Sequence, residues 1–163
     1  MAFRTSQRPA VEARLPDQII RDAATIILVR DAATNPSVLM GQRGANTAFM
    51  PNKVVFPGGA VDAGDRSIDL AAPLAEPCQT RVDIAGGVSA NALAVAAIRE
   101  LWEETGQILG DKTDWQGEIP HDWASFAQAG FAPSATTLRF VFRAITPPNR
   151  PRRFDARFFL TEA

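Results

Sequence analysis

The chain has 163 residues, 46% of them apolar and 21% charged, the balance of a single globular domain with a sizeable core. Its 17 basic and 18 acidic residues leave a formal charge of −1, which argues against wholesale binding to nucleic acid or a membrane surface and favours small-molecule chemistry. Cys78 is the only cysteine and excludes an intrachain disulfide, and no apolar run approaches the roughly 18 residues of a membrane span, so a cytoplasmic location is expected.

Residues 1–17 are polar, hold Pro9 and Pro16 and show no period, which is the composition of a loose tail ahead of a domain over 18–163. Residues 23–30 (AATIILVR) and 37–43 (SVLMGQR) are β-rich runs separated by turn residues, and they predict a hairpin. Arg43 closes the second run, where it is either solvated or placed to meet a phosphate. A short strand then enters Pro57-Gly58-Gly59, a pair of glycines that permits a sharp bend or a close backbone approach. The stretch 66–89, with Pro73, Pro77, Gly86 and Gly87, is expected to hold one helical turn in a long loop, read either as a substrate lid or as a surface excursion.

Residues 90–106 (ANALAVAAIRELWEETG) carry the chemistry. Ser89 or Asn91 suits the N-cap of a helix and Gly106 its left-handed end. At about 100° per residue, Glu100, Glu103 and Glu104 fall in one narrow stripe, and Val95, Ile98, Leu101 and Trp102 face the other way. Like charges at this spacing repel, and no lysine lies among them to offset it. Clustered carboxylates are hard oxygen ligands of the kind that Mg²⁺ or Mn²⁺ accepts. Further on, residues 120–130 predict a short helix with Trp123 and Phe126 inward, beside a lone, surface-type His121. In 137–145, Leu138, Phe140 and Phe142 alternate with Arg139, Val141 and Arg143, and 153–160 is a second β-rich run. The Pro147-Pro148-Asn149-Arg150-Pro151 connector between them is stiff and, with Arg152 and Arg153, locally basic. It is read as an exposed turn before a phosphate contact.

The segment Arg99-Glu100-Leu101-Trp102-Glu103-Glu104-Thr105-Gly106 resembles the second half of the box of the Nudix hydrolases, G-x5-E-x7-R-E-U-x-E-E-x-G-U, with U aliphatic. Gly59 to Asp65 is similar to its first half. Three departures stand out: Asp65 where the family has Glu, Gln107 in place of the last aliphatic residue, and 33 residues between Asp65 and Arg99 where the pattern has seven, an insertion of 26. A Nudix subgroup with a long insert at this place includes a peroxisomal coenzyme A diphosphatase. The chain is similar to it at Ala48-Phe49-Met50-Pro51, Val54-Val55-Phe56-Pro57-Gly58-Gly59, Asp62-Ala63 and Arg153-Phe154-Asp155-Ala156-Arg157-Phe158-Phe159.

The resemblance implies an α/β/α Nudix sandwich, an α+β fold with a mixed sheet and the 90–105 helix packed on it. It implies divalent-metal-dependent hydrolysis of a diphosphate, with Mg²⁺ or Mn²⁺ held by Glu103 and Glu104 as principal ligands, Glu100 as ligand or base, and the Gly58 carbonyl. Arg99 would orient a neighbouring carboxylate. Coenzyme A or acyl-CoA is the first substrate implied, followed by ADP-ribose, NADH or nucleotide sugars, with a non-catalytic nucleotide-sensing module as the alternative. Nudix domains also run beyond such a final strand, so an unpaired edge or an exposed apolar face there, and with it homo-oligomerisation, are expected.

Overall fold

The eleven-residue run Ile20–Arg30 (β1) is extended because its β-branched residues fit a pleated surface, and its alternation separates two faces. Ala24, Ile26 and Leu28 point into the core, while Thr25, Ile27 and Val29 are half-buried on the other side. The computed structural model describes residues 19–42, 44 and 53–163; the N-terminal segment, Arg43 and residues 48–51 lie outside them. The remaining strands are Ser37–Val38 (β2), Gly41–Gln42 (β3), Val54–Val55 (β4), Gly58–Ala60 (β5), Gly110–Asp111 (β6), Ala132–Pro133 (β7), Arg139–Ile145 (β8) and Arg153–Glu162 (β9). The helices are Cys78–Ala85 (α1), Ala90–Thr105 (α2) and Ala124–Gln128 (α3).

The central sheet is mixed. β1 runs parallel to β9 from Ile20↔Arg153 to Val29↔Glu162, β8 lies antiparallel on the far side of β9, and β2 and β5 share the other edge of β1. Of the hairpin expected between 23–30 and 37–43, Ser37–Val38 pairs with β1, whereas Gly41–Gln42 leaves that sheet to pair with β4. Of the two expectations for the final strand, an apolar face left open is met by Phe154 and Phe158, which line a cleft, and the unpaired edge is not, because β9 lies between β1 and β8. Parallel pairing with the first strand, invisible in local sequence, places it there.

A register shift between Phe140 and Phe142 breaks the expected single apolar face of β8. Phe140 stays with Phe159 at 6.0 Å on the core side, whereas Phe142 stacks on Phe158 at 4.2 Å on the opposite side. The three helices share the core on one face of the sheet. The mixed sheet with the 90–105 helix packed on it is as expected, and the Phe158 face of the sheet lines a cleft. No single helix among the described residues is long and apolar enough to cross a membrane.

The 66–89 stretch is neither a lid nor a surface excursion but part of the core. Ile68, Leu74, Cys78, Val82 and Val88 are buried, α1 has eight residues, and the Ala71 and Ala135 N–H groups bond to Pro133 O and Ala72 O at 2.8 and 2.9 Å. This covers α2 from behind. Every residue of α2 from Ala92 to Arg99 is therefore buried, not the single face expected, and the small Ala92, Ala94, Ala96 and Ala97 let the sheet and the inserted chain approach closely from opposite sides.

The inserted stretch is fastened to the sheet by charge. Arg157 on β9 is fully buried, and its Nη1 donates to Asp22 Oδ1 at 2.7 Å and to Asp155 O at 2.8 Å, while its Nη2 donates to Gly86 O. Arg143 forks onto Asp155 at 2.7 and 2.6 Å and donates to Ala85 O. Gly87, at φ +96°, must lack a side chain, because a Cβ there would overlap the Arg157 guanidinium.

Candidate active site

α2 begins at Ser89, whose Oγ accepts from Ala92 N at 3.3 Å, and ends at Gly106, whose left-handed backbone (φ +69°) returns its N–H to Trp102 O at 2.8 Å. The helix lies against β1, β5 and the Gly64–Arg66 3-10 turn. Its C-terminal half presents Arg99, Glu100, Glu103 and Glu104 to the β5 strand.

The register of β5 on β1 decides what these side chains meet. Ala24 opposes Gly59, and the bonds from Ile26 N to Pro57 O and from Val61 N to Asp22 O mark the hydrogen-bonded rungs. Gly58 and Ala60 occupy the alternate positions, whose N–H and C=O groups turn away from β1. Glu104 Oε2 accepts from Gly58 N at 3.1 Å, and Ala60 O accepts from Arg99 Nη2 at 3.1 Å. The two glycines are points of close approach of different kinds: a Cβ on Gly58 would come within 2.5 Å of Ala24 O in the β1 backbone, and one on Gly59 would overlap the Glu100 carboxylate, the end of a side chain.

Arg99 is the hub of the site. Its side chain is only 8% exposed, and its Nε and Nη2 fork onto Asp65 Oδ1 and Oδ2 at 2.9 and 3.1 Å. Nη1 donates to Glu100 Oε1 at 3.0 Å and Glu103 Oε2 at 3.1 Å. Burial works against the Arg99 charge, but the bond to Asp65 and the fields of Asp65, Glu100 and Glu103 more than offset it and hold the guanidinium above its ordinary range. For Glu100 burial is the larger effect; it pushes the carboxyl up, with Glu103 and Glu104 adding to it and Arg99 opposing.

Asp65 is the residue that pattern reading underestimates. It is 2% exposed, accepts Asp62 N at 2.8 Å, and supplies the buried countercharge of Arg99 across the inserted stretch. Its place in the box was the available signal. The loss of one methylene relative to Glu is met by the 3-10 turn, which carries the carboxylate to the guanidinium.

Among the described residues, no three His, Cys, Asp or Glu side chains are gathered closely enough to enclose a metal ion. Glu104 is turned to Gly58 N, while Arg99 takes one oxygen each from Glu100 and Glu103. The donor set nevertheless fits a hard divalent cation: each carboxylate offers two oxygens, Glu103 and Glu104 are exposed, and Arg99 holds Glu100 and Glu103 from the buried side. His121 is exposed, and its ring lies 3.4 Å from the Asp122 carboxylate.

The Gly58-Gly59 bend also lines a cleft of about 740 Å³ on the open face of the sheet, with Met40, Val55, Phe56, Phe154 and Phe158 in its walls. Arg150 and Arg152, read as an exposed basic turn, line the same cleft.

A mixed sheet with a helix bearing a clamped glutamate cluster over a double-glycine strand is a Nudix-type arrangement, and known proteins agree. The chain is similar to the crystal structure of a NUDIX hydrolase from Alicyclobacillus acidocaldarius, with a TM-score of 0.71 and 32% identity over 90% of this chain and 71% of that one. It is 34% identical over 152 residues to the Caenorhabditis elegans protein named "Putative nudix hydrolase 7" and spans 86% of itself but 43% of that relative's length. The Caenorhabditis elegans Ap4A hydrolase structure is a weaker likeness, with a TM-score of 0.44 at 15% identity, covering 88% of this chain and 68% of that one. No family model matches the chain. It belongs to the Nudix hydrolase family.

Proposed function

We propose that the protein hydrolyses a diphosphate linkage in a nucleoside diphosphate derivative with the help of Mg²⁺ or Mn²⁺, and that coenzyme A or an acyl-CoA is the substrate to test first. The observation that carries this reading is the Arg99 hub, which fastens Glu100 and Glu103 beside Glu104 where the glycine bend opens into the cleft. The coenzyme A preference is supported by the 26-residue insertion and the segments similar to the insert-bearing subgroup. The domain bounds, 18–163 with the insert over 66–89, belong to the same reading.

A divalent cation, when bound, neutralises the diphosphate oxygens and lowers the pKa of a water on it. Glu103, Glu104, Glu100 and the Gly58 carbonyl are the groups that would hold it. Glu100, whose carboxyl burial pushes up, is suited to take a proton from water. Arg99 is a positioning residue, fixing Glu100 and Glu103 without touching substrate. Water adds at one phosphorus, the bridging P–O bond breaks, the proton passes to the departing phosphate, and two phosphomonoesters leave.

The test is the phosphate released after phosphatase treatment in excess of that from the same compound treated with phosphatase alone, for coenzyme A, acyl-CoA, ADP-ribose, NADH and nucleotide sugars with Mg²⁺ or Mn²⁺. Turnover of at least one is expected, and Glu104→Gln should lower it by about 10- to 100-fold. Nucleotide binding without turnover of any of them would move the reading to a sensing module.

The two glycines should separate site geometry from stability. In Gly59→Ala the new methyl meets the Glu100 carboxylate, the end of a side chain that can yield, so folding is nearly kept while Glu100 is displaced. A shift of about 1 Å at a reacting group costs on the order of 10²-fold in rate. In Gly58→Ala the methyl meets the β1 backbone, so the thermal midpoint falls instead. Equal losses of activity and midpoint in the two variants would contradict the assigned contacts.

A further inference from the structure

We infer that the cleft selects diphosphates whose flanking nucleoside carries a separate phosphomonoester, and that Arg150 and Arg152 bind that second phosphate. This rests on the hydrolase reading above and adds a specificity site to it. The argument begins with charge. The chain as a whole is nearly neutral, with a formal charge of −1, yet two guanidinium groups line one largely apolar cleft. Both are exposed, and neither has an ion-pair partner among the described residues. Unpaired guanidinium groups beside apolar walls are suited to a doubly charged oxyanion, which they can grip through forked, charge-assisted bonds.

Their support is rigid. The β8–β9 connector is closed by Thr146 N to Phe154 O at 2.9 Å, Phe154 N to Thr146 Oγ1 at 3.0 Å and Arg153 Nε to Thr146 O at 3.2 Å. Pro147, Pro148 and Pro151 stiffen it, and Asn149 turns it at φ +66°. Such a loop gives up little freedom when an anion binds.

The position separates this site from the scissile diphosphate. Ala60, Ala23, Ala156 and Ala144 form one row across the sheet, from β5 through β1 and β9 to β8. At 4.7–4.9 Å per strand, the row spans roughly 14 Å. The cleft has Gly58 and Gly59 at the β5 end of this floor and Ile145 with the two arginines at the β8 end. Phe154, Phe158 and Phe56 lie in the walls between, where a base and sugar can be covered. A phosphate gripped by Arg150 and Arg152 is therefore not the one cleaved beside Glu104.

The experiment compares kcat/KM for coenzyme A with that for its 3′-dephospho form, and NADPH with NADH, in the wild type, the Arg150→Ala/Arg152→Ala double variant and the corresponding double lysine variant. The wild type should favour the phosphorylated member of a turned-over pair by on the order of 10- to 100-fold, the worth of one or two charge-assisted bonds. The double alanine variant should bring that ratio to about one, and lysine should restore part of it. A wild-type ratio near one, or a ratio that survives the double alanine change, overturns the inference while the hydrolase reading stands. If no compound is turned over, the hydrolase reading fails, and calorimetric titration decides the phosphate site alone. Adenosine 3′,5′-bisphosphate should then bind the wild type more tightly than adenosine 5′-monophosphate and lose that advantage in the double alanine variant; equal binding of the two overturns the inference.

Discussion

Arg99→Met is expected to cost about 3–5 kcal/mol of folding stability, the usual penalty for stripping one partner from a buried ion pair, and to remove most diphosphate turnover. Asp65 is 2% exposed and its only other partner among the described residues is the Asp62 N–H, so the variant buries a carboxylate with no cation. Ala60 O loses its donor as well. Glu100 and Glu103, one turn apart and both anchored to Nη1, are released to repel each other. Lysine cannot substitute, because one ammonium cannot fork onto Asp65 while reaching Glu100, Glu103 and Ala60. The measurement is the urea midpoint of Arg99→Met, Asp65→Asn and the pair combined. Removing both charges should be less damaging than removing Arg99 alone, since the double variant leaves no orphaned carboxylate. If the double variant is as unstable as the sum of the singles, the buried charge is not what Arg99 holds.

Arg157→Met should be of similar size, about 3 kcal/mol or more, with a different signature. The guanidinium is fully buried and joins Asp22 on the first strand, Asp155 on the last and Gly86 at the end of the insert. Its loss removes one of the two arginine ties between the insert and the sheet while Arg143 keeps Asp155 and Ala85 O paired, so amide exchange should rise first in α1 and residues 85–89. Uniform loss of protection across the chain would count against this account. The same cluster gives the protein an acid limb. Hydrogen bonds from Arg143, with the charges of Arg157 and Arg143, hold the Asp155 carboxyl below its ordinary value near 3.8 against the cost of burial. A lowered folded-state value means that the stabilisation is fully present above that ordinary value and is lost as pH falls through the lower, folded-state one. Stability should therefore hold from neutral pH to about pH 5 and decline below pH 4, and Asp155→Asn should flatten that decline. An unchanged acid limb in Asp155→Asn would assign it to other groups.

Both arginines show why part of this molecule resists pattern reading. The Asp65–Arg99 fork joins positions 34 apart, and the Arg157–Asp22 pair joins positions 135 apart. In sequence, Arg157 is an ordinary charged residue in a strand. Only the parallel pairing of β9 with β1 turns it inward onto Asp22. The β8 alternation was legible, but the bulge that sends Phe142 to the opposite face from Phe140 depends on the strand beside it. The insert looked like loop because prolines and glycines punctuate it, yet its scattered Ile68, Leu74, Val82 and Val88 bury against α2 without any local period to announce them.

Local chemistry determined the rest. Ser89 and Gly106 mark the ends of α2, and the i, i+3, i+4 spacing of Glu100, Glu103 and Glu104 places them on one side of any helix they occupy, because capping and helical pitch are set within a few residues of backbone. The neighbours of those carboxylates were decided by tertiary structure alone: Asp65 behind Arg99, Gly58 N–H before Glu104, and a cleft with Arg150 and Arg152 at its far end. Such contacts depend on strand register and on which chains cover α2. Register and coverage are settled by burial of the whole core, not by the residues that form the site.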